Sequence, residues 1–188
     1  MKDDFKKIKV YKGNGKVKYD NPTSYTFIGR GYTGAVFKLS SKKCVKIFAN
    51  EKDVKYELEA LELGQHTSVI PKLYEVGQNY IVMEYISGVD LHTYLLEQQF
   101  LSDQIAEHIL FCLMELKRLG FPRLDVRLRH FLFTKSNTLK VIDHAYALRK
   151  QVKKPEKLFK NLKQLGLLED FFSYAKRVDP VIYNEWKK

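Results

Sequence analysis

Eight positions near the start of the chain have the composition of a phosphate cradle. Gly29-Arg30-Gly31-Tyr32-Thr33-Gly34-Ala35-Val36 matches the pattern G-x-G-x-x-G-x-V. Glycines at these spacings let backbone N–H groups close over phosphate oxygens without side-chain clashes. Glycine hairpins without any ligand are also common, so the neighbouring elements decide. Here the glycines lie between two β-rich runs, Ser24–Gly31 and Thr33–Ser40. That is not a strand-to-helix turn, which argues against a dinucleotide-binding site. A lysine, Lys46, follows inside the apolar strand-like run Cys44-Val45-Lys46-Ile47, where the ordinary expectation is an outward-facing charge. Glu57 and Glu59 lie on a helical stretch that begins after Asn50, and Leu61 four residues beyond Glu57 favours Glu57 as the inward one. Far downstream, Asp125 and Asp143 flank a β-hairpin signal, eighteen positions apart. A lone loop aspartate usually caps a turn or helix; two in this order are harder to explain that way.

Read in order, these residues resemble the protein kinase superfamily, especially its small RIO-like and lipopolysaccharide-kinase-like branches, over about residues 24–148. The resemblance implies that ATP binds between the glycine-rich loop Gly29, Gly31, Gly34 and a floor at Asp125–Asp143. Lys46 would hold the α- and β-phosphates, aimed by Glu57. The run Ile81-Val82-Met83-Glu84-Tyr85-Ile86-Ser87-Gly88-Val89-Asp90 looks like the hinge between two lobes. By that likeness Met83 stands behind the adenine, the Glu84 carbonyl and Ile86 N–H bond its edge, and Asp90 reaches the ribose. Val36 and Cys44 would roof the base and Leu132 would floor it. Asp125 would orient the acceptor hydroxyl or take its proton, Arg127 would steady the transferring phosphoryl group, and Asp143 would hold Mg²⁺.

The chain departs from the family at several of these places. His130 stands where the second metal-binding residue, an asparagine, belongs. Mg²⁺ prefers oxygen ligands and an imidazole suits softer metals. The alternatives are one Mg²⁺ on Asp143 alone, Mn²⁺ shared by His130 and Asp143, nucleotide binding without turnover, or a His130 that hydrogen-bonds Asp125 and orders the loop. The segment Asp143-His144-Ala145 lacks the Phe and Gly that permit a kinase-type flip. Only 45 residues follow Asp143, too few for a full activation segment and large helical subdomain. Lys154-Pro155-Glu156 reads as a helix start with proline in the first turn.

The elements that must position these groups are legible from periodicity. Phe5–Lys12 alternates before a Gly13-Asn14-Gly15 turn, and Lys43–Ala49, Lys72–Val76 and Tyr80–Ile86 are further strand runs. From Leu91 the period becomes helical: Leu91–Gln98, then a long helix after Ser102 with Ile105, Ile109, Leu113 and Leu116 on one face. Phe131–Thr134 and Leu139–Ile142 are short strands, and two or three helices follow Pro155, broken at Gly166 and Pro180. The reading is α+β. With the resemblance it becomes a kinase-like bilobal fold: a five-stranded antiparallel N-lobe sheet with one helix over 1–87, and a reduced, mostly helical C-lobe over 88–188.

Composition agrees with a folded chain: 45% hydrophobic and 13% aromatic residues among 188. The run Ile109–Met114 is far short of the roughly 20 residues a membrane span needs, and the first ten residues hold no apolar signal segment. Cys44 and Cys112 lack metal-ligand spacing and read as buried thiols, so the expected location is the cytoplasm. Of the net charge of +11, residues 1–20 carry +4 (7 basic, 3 acidic) and residues 149–188 carry +6 (11 basic, 5 acidic). Such ends either form a solvated surface or dock on an acidic partner or RNA. Lys160, Lys163 and Lys187-Lys188, with Phe159 and Trp186 nearby, are the residues for such a contact.

The function implied by the resemblance is an ATP-dependent phosphotransferase, a serine/threonine protein kinase using Mg²⁺ or Mn²⁺. One alternative is a nucleotide-binding pseudokinase that regulates a partner. The other is a small-molecule kinase, disfavoured by the short C-terminal half, where an acceptor pocket would be built.

Overall fold

The computed structural model describes residues 4–187; Lys188, named above among the basic residues, lies outside them. Two compact units divide the chain. One runs to Ile86 and includes His144–Tyr146; the other comprises Ser87–Asp143 and the chain from Ala147 onward.

The first unit opens with a 3-10 turn at Asp4–Lys7 and a hairpin of β1 (Lys9–Tyr11) and β2 (Lys18–Asp20). The alternating run at Phe5–Lys12 is therefore only in part a strand, and β2 was not anticipated. Its five-stranded sheet contains β3 (Thr26–Arg30), β4 (Gly34–Lys38), β5 (Lys43–Phe48), β6 (Leu73–Val76) and β7 (Tyr80–Glu84), in the order β3-β4-β5-β7-β6, with every pairing antiparallel. Helix α1 (Glu51–Leu63) is inserted between β5 and β6. Asn50 caps it by accepting the Lys52 N–H, and Gly64 ends it.

Alternation along the strands sorts the side chains onto two faces. Ala35, Phe37, Val45, Ile47, Tyr80 and Val82 point to one face, where Phe5, Ile8 and Val17 from the N-terminal turn and hairpin pack on them. The opposite face carries the cross-strand sets Val36–Lys46–Ile81 and Lys38–Cys44–Met83. Strand β5 is buried on both faces, which is why it reads as a nearly continuous apolar run.

The second unit is mostly helical: α2 (Leu91–Gln98), α3 (Asp103–Arg118), α4 (Glu156–Gln164), α5 (Leu168–Val178) and α6 (Pro180–Lys187), with a hairpin of β8 (Phe131–Phe133) and β9 (Leu139–Val141). Ser102 caps α3, and Ile105, Ile109, Leu113 and Leu116 all face its core. Gly88 explains the glycine at the start of this unit: a Cβ there would lie 2.0 Å from the Phe133 carbonyl oxygen, so β8 approaches only a bare backbone. The α+β class is as expected, and the strands of the main sheet and the helices lie where the pattern changes placed them. One detail differs: Pro155 is the residue before α4, not a member of its first turn.

Candidate functional site

In the first unit the functional side chains come from the sheet face away from the Phe37 core. Lys46 projects from β5 on that face and is 93% removed from solvent, against the ordinary expectation of an outward strand lysine. Its Nζ pairs with Oε2 of Glu57 on α1. Glu57 is buried because it shares the inward stripe of α1 with Val54 and Leu61, whereas Glu59 faces solvent. A buried ion pair is kept only where both charges are matched, since removing either leaves the other desolvated.

The three glycines differ in a way the pattern alone does not reveal. Gly34 is required by the sheet: a Cβ there would sit 2.6 Å from the Ile47 carbonyl oxygen. Gly29 and Gly31 have nothing within 4 Å of an added Cβ, and neither has a positive φ. The fold therefore demands no glycine at 29 or 31. Bare backbone facing open space is what a phosphate-bearing ligand needs for close approach. Val36, Cys44, Lys46 and Met83 share one sheet face by register, so the expected roof, lysine and gatekeeper positions are brought together.

At the end of β7 the Glu84 N–H donates to the Lys72 carbonyl at 2.8 Å, and the Tyr85 N–H to that of Lys42 at 3.0 Å. The Ile86 N–H has no backbone acceptor among the described residues. The Cys44 thiol lies 3.6 Å from the Glu84 carbonyl oxygen. Burial, then the Glu57 and Glu84 carboxylates, push that thiol up to about 12, so it is an apolar wall and not a nucleophile.

Residues 144–146 belong to this unit as well. The Tyr146 hydroxyl donates to Oδ1 of Asp53 at 3.0 Å, and its ring packs on Tyr56 at 5.9 Å. Both partners lie on α1, within a turn of Glu57. Sequence reasoning missed Tyr146, because a long-range aromatic contact leaves no local periodicity.

In the second unit Asp90 is the N-cap of α2: Oδ1 accepts the Thr93 N–H at 3.1 Å and Oδ2 the Thr93 hydroxyl at 2.8 Å. It also bridges Leu132 on β8. Both oxygens are thus engaged in helix capping.

Asp125 is held from three directions. Lys157 Nζ lies 2.6 Å from Oδ2, Arg123 Nη2 lies 3.5 Å from the same oxygen, and the Lys157 backbone N–H donates to Oδ1 at 3.0 Å. Partial burial alone pushes the carboxyl pKa up. The Lys157 hydrogen bonds and the Lys157 and Arg123 charges outweigh it and leave the group below the usual carboxylate range. Lys157 had not been anticipated; it is 32 residues distant in sequence. Arg127 is exposed and precedes a 3-10 turn, Leu128–His130.

His130 lies at the end of the 3-10 turn that follows Arg127. Its Nε2 stands 3.7 Å from Oδ2 of Asp143, and its carbonyl accepts the Ile142 N–H at 2.9 Å. Asp143 is half exposed and adopts φ +66°, a left-handed conformation uncommon outside glycine. Among the described residues no three His, Cys, Asp or Glu side chains form a metal-binding group. One exposed carboxylate still suits Mg²⁺, which takes one or two carboxylates and completes its shell with phosphate oxygens and water.

Of the aromatic neighbours of the C-terminal lysines, Phe159 is partly buried and Trp186 is core. Trp186 is 3% exposed and packs on Phe159 at 5.7 Å and Phe171 at 6.5 Å, so it is not a platform for bases. No described helix is long and apolar enough to cross a membrane.

No protein-family model matches the chain. A Bacillus subtilis (strain 168) protein named "Putative serine/threonine-protein kinase YrzF" is 29% identical over 144 residues, covering 72% of this chain. The match covers 66% of that protein, so the chain spans just under two thirds of its relative's length. This similarity supports a kinase-like relationship.

Proposed function

We propose that the protein is a small atypical ATP-dependent phosphotransferase, of the RIO-like or lipopolysaccharide-kinase-like kind, acting on serine or threonine of a protein. The observation that carries this reading is the buried Lys46–Glu57 pair, on the sheet face shared by Val36, Cys44 and Met83. A buried ion pair contributes little net stability compared with an apolar pair of similar volume, so its presence points to a task for the lysine. The unfilled space over Gly29 and Gly31 supports the same reading, because it leaves backbone open for phosphates. The relative's name agrees with it.

In this mechanism Lys46, aimed by Glu57, holds the α- and β-phosphates. The Glu84 carbonyl and the Ile86 N–H read the adenine edge, and Asp90 faces the ribose through whatever its cap leaves free. Asp143 holds Mg²⁺, or Mn²⁺ together with His130. The metal would supply charge neutralisation on the phosphate oxygens. Asp125 orients the acceptor hydroxyl, and Arg127 steadies the phosphoryl group. With both oxygens in charge-assisted hydrogen bonds and its pKa lowered, Asp125 is better suited to orient than to store a proton. Catalysis is then positioning and electrostatics, the ordinary demand of phosphoryl transfer.

The test is transfer of labelled phosphate from ATP to the protein itself and to a random Ser/Thr peptide library, with Mg²⁺ and with Mn²⁺. Wild type should transfer and Asp125→Ala should not; equal residual rates in both would sink the assignment. A second reading, a nucleotide-binding pseudokinase, is favoured by His130 in the metal position. It predicts ATP-dependent thermal stabilisation that survives Asp125→Ala and disappears in Lys46→Ala.

A further inference from the structure

Helix α4 meets the loop that carries Asp125 at two points on one face. Lys157, in its first turn, gives both its backbone N–H and its Nζ to the Asp125 carboxylate, at 3.0 and 2.6 Å. Asn161, four residues on, accepts the Leu128 N–H on Oδ1 at 3.4 Å. Residues i and i+4 lie one above the other on a helix, so a single face spans Asp125 to Leu128. Leu158 and Leu162 anchor α4 beside this face, both fully buried.

We propose that Lys157 and Asn161 are positioning residues for the transfer reaction, a helix-borne clamp that aims Asp125 and holds the Asp125–His130 loop. The proposal rests on the phosphotransferase reading for its functional meaning, and on the contacts above for its geometry.

Leu124, Val126 and Leu128 are buried and hold the backbone of this loop, while Arg127 and Arg129 are exposed, so apolar burial fixes the loop but not the direction of the Asp125 carboxylate. A carboxylate that must orient a hydroxyl loses effect when displaced by about 1 Å. Lys157 meets that need. Its backbone N–H lies at a helix N-terminus, where an anion is favoured, and its ammonium adds charge on the other oxygen. The charged groups facing Asp125 are Lys157 from α4 and Arg123 from its own loop, and both favour the carboxylate. A negative group aimed by two fixed donors keeps one direction for an acceptor O–H. Pro155 suits this arrangement: α4 has no side-chain cap of its own, and Asp125 supplies the missing acceptor from a distant part of the chain.

The experiment uses the full chain with Lys157→Met, Lys157→Arg and Asn161→Ala. The first readout needs no activity: the pH midpoint of the Asp125 carboxyl ¹³C resonance. It should move to higher pH in Lys157→Met, where the ammonium is lost, and return towards wild type in Lys157→Arg. Amide exchange at Leu128 should quicken in Asn161→Ala. The second readout is phosphate transfer to the same peptide library. Lys157→Met should lower kcat at least tenfold with KM for ATP unchanged and move the acid limb of the pH profile up; Lys157→Arg should recover most of the rate. Melting temperature checks that each variant is folded. An unmoved Asp125 midpoint in folded Lys157→Met overturns the proposal. So does a rise in transfer, which would make the contact autoinhibitory. Wild type without transfer to any acceptor would overturn the phosphotransferase reading instead, and the titration would still decide the Lys157 contact.

Discussion

His130 Nε2 stands 3.7 Å from Oδ2 of Asp143, which brings together the two residues proposed to hold the metal. If that pair holds metal, replacing the nitrogen ligand by an oxygen one changes the preferred ion. His130→Asn is expected to raise Mg²⁺-supported transfer roughly tenfold, a gain of about 1.4 kcal/mol in the barrier, and to lower the Mn²⁺/Mg²⁺ rate ratio. Steady-state rates with each metal check this; an unchanged ratio would remove His130 from the metal site.

The glycines should separate by function. Gly34→Ala places a Cβ against the Ile47 carbonyl oxygen and should destabilise the protein by about 1–3 kcal/mol. Gly29→Ala and Gly31→Ala meet no protein atoms and should leave stability within about 1 kcal/mol of wild type. Both should nevertheless weaken ATP binding. Urea denaturation alongside nucleotide titration provides the comparison, and undiminished ATP affinity in both alanine variants would count against a phosphate loop.

Lys46→Ala removes the cation paired with buried Glu57 and should cost about 3–5 kcal/mol. Lys46→Met combined with Glu57→Leu should recover most of that loss, because an apolar pair replaces a matched ionic one. Nucleotide-dependent stabilisation should be absent from both. Chemical denaturation of the double-mutant cycle measures the coupling; a loss under about 1 kcal/mol in Lys46→Ala would mean that the pair is not buried in solution.

Cys44 and Cys112 carry thiols that burial pushes up to about 12, with nearby carboxylates adding to the effect. A raised thiol pKa means less thiolate at any given pH, so alkylation should be negligible in the folded protein at pH 8 and complete in denaturant. Mass spectrometry after timed iodoacetamide treatment reads this directly; rapid native labelling of either residue would contradict its burial.

Much of this architecture was written locally. The Asn50 and Ser102 caps, the glycine turns and the change from period two to period 3.6 near Leu91 mark the elements, because each depends on residues within a few positions of one another. The order Gly29–Gly34, Lys46, Glu57, Asp125 and Asp143, on which the proposed site rests, is legible for the same reason: it is a linear pattern. Hairpin strand β2 escaped because three charged or polar-tipped residues, Lys18-Tyr19-Asp20, carry almost no alternation signal.

Tertiary structure alone decided the partners. That Lys46 is buried and not a surface charge follows from α1 covering its side of β5, with Glu57 turned inward and Glu59 outward. That Gly34 alone of the three loop glycines is a packing requirement follows from where the Ile47 carbonyl lies. Asp125 meets Lys157, and Tyr146 meets Asp53, at sequence separations of 32 and 93. Periodicity and capping rules act over a turn or a strand and carry no information at such separations. The chain's own pattern thus named the residues, and long-range packing determined what each of them touches.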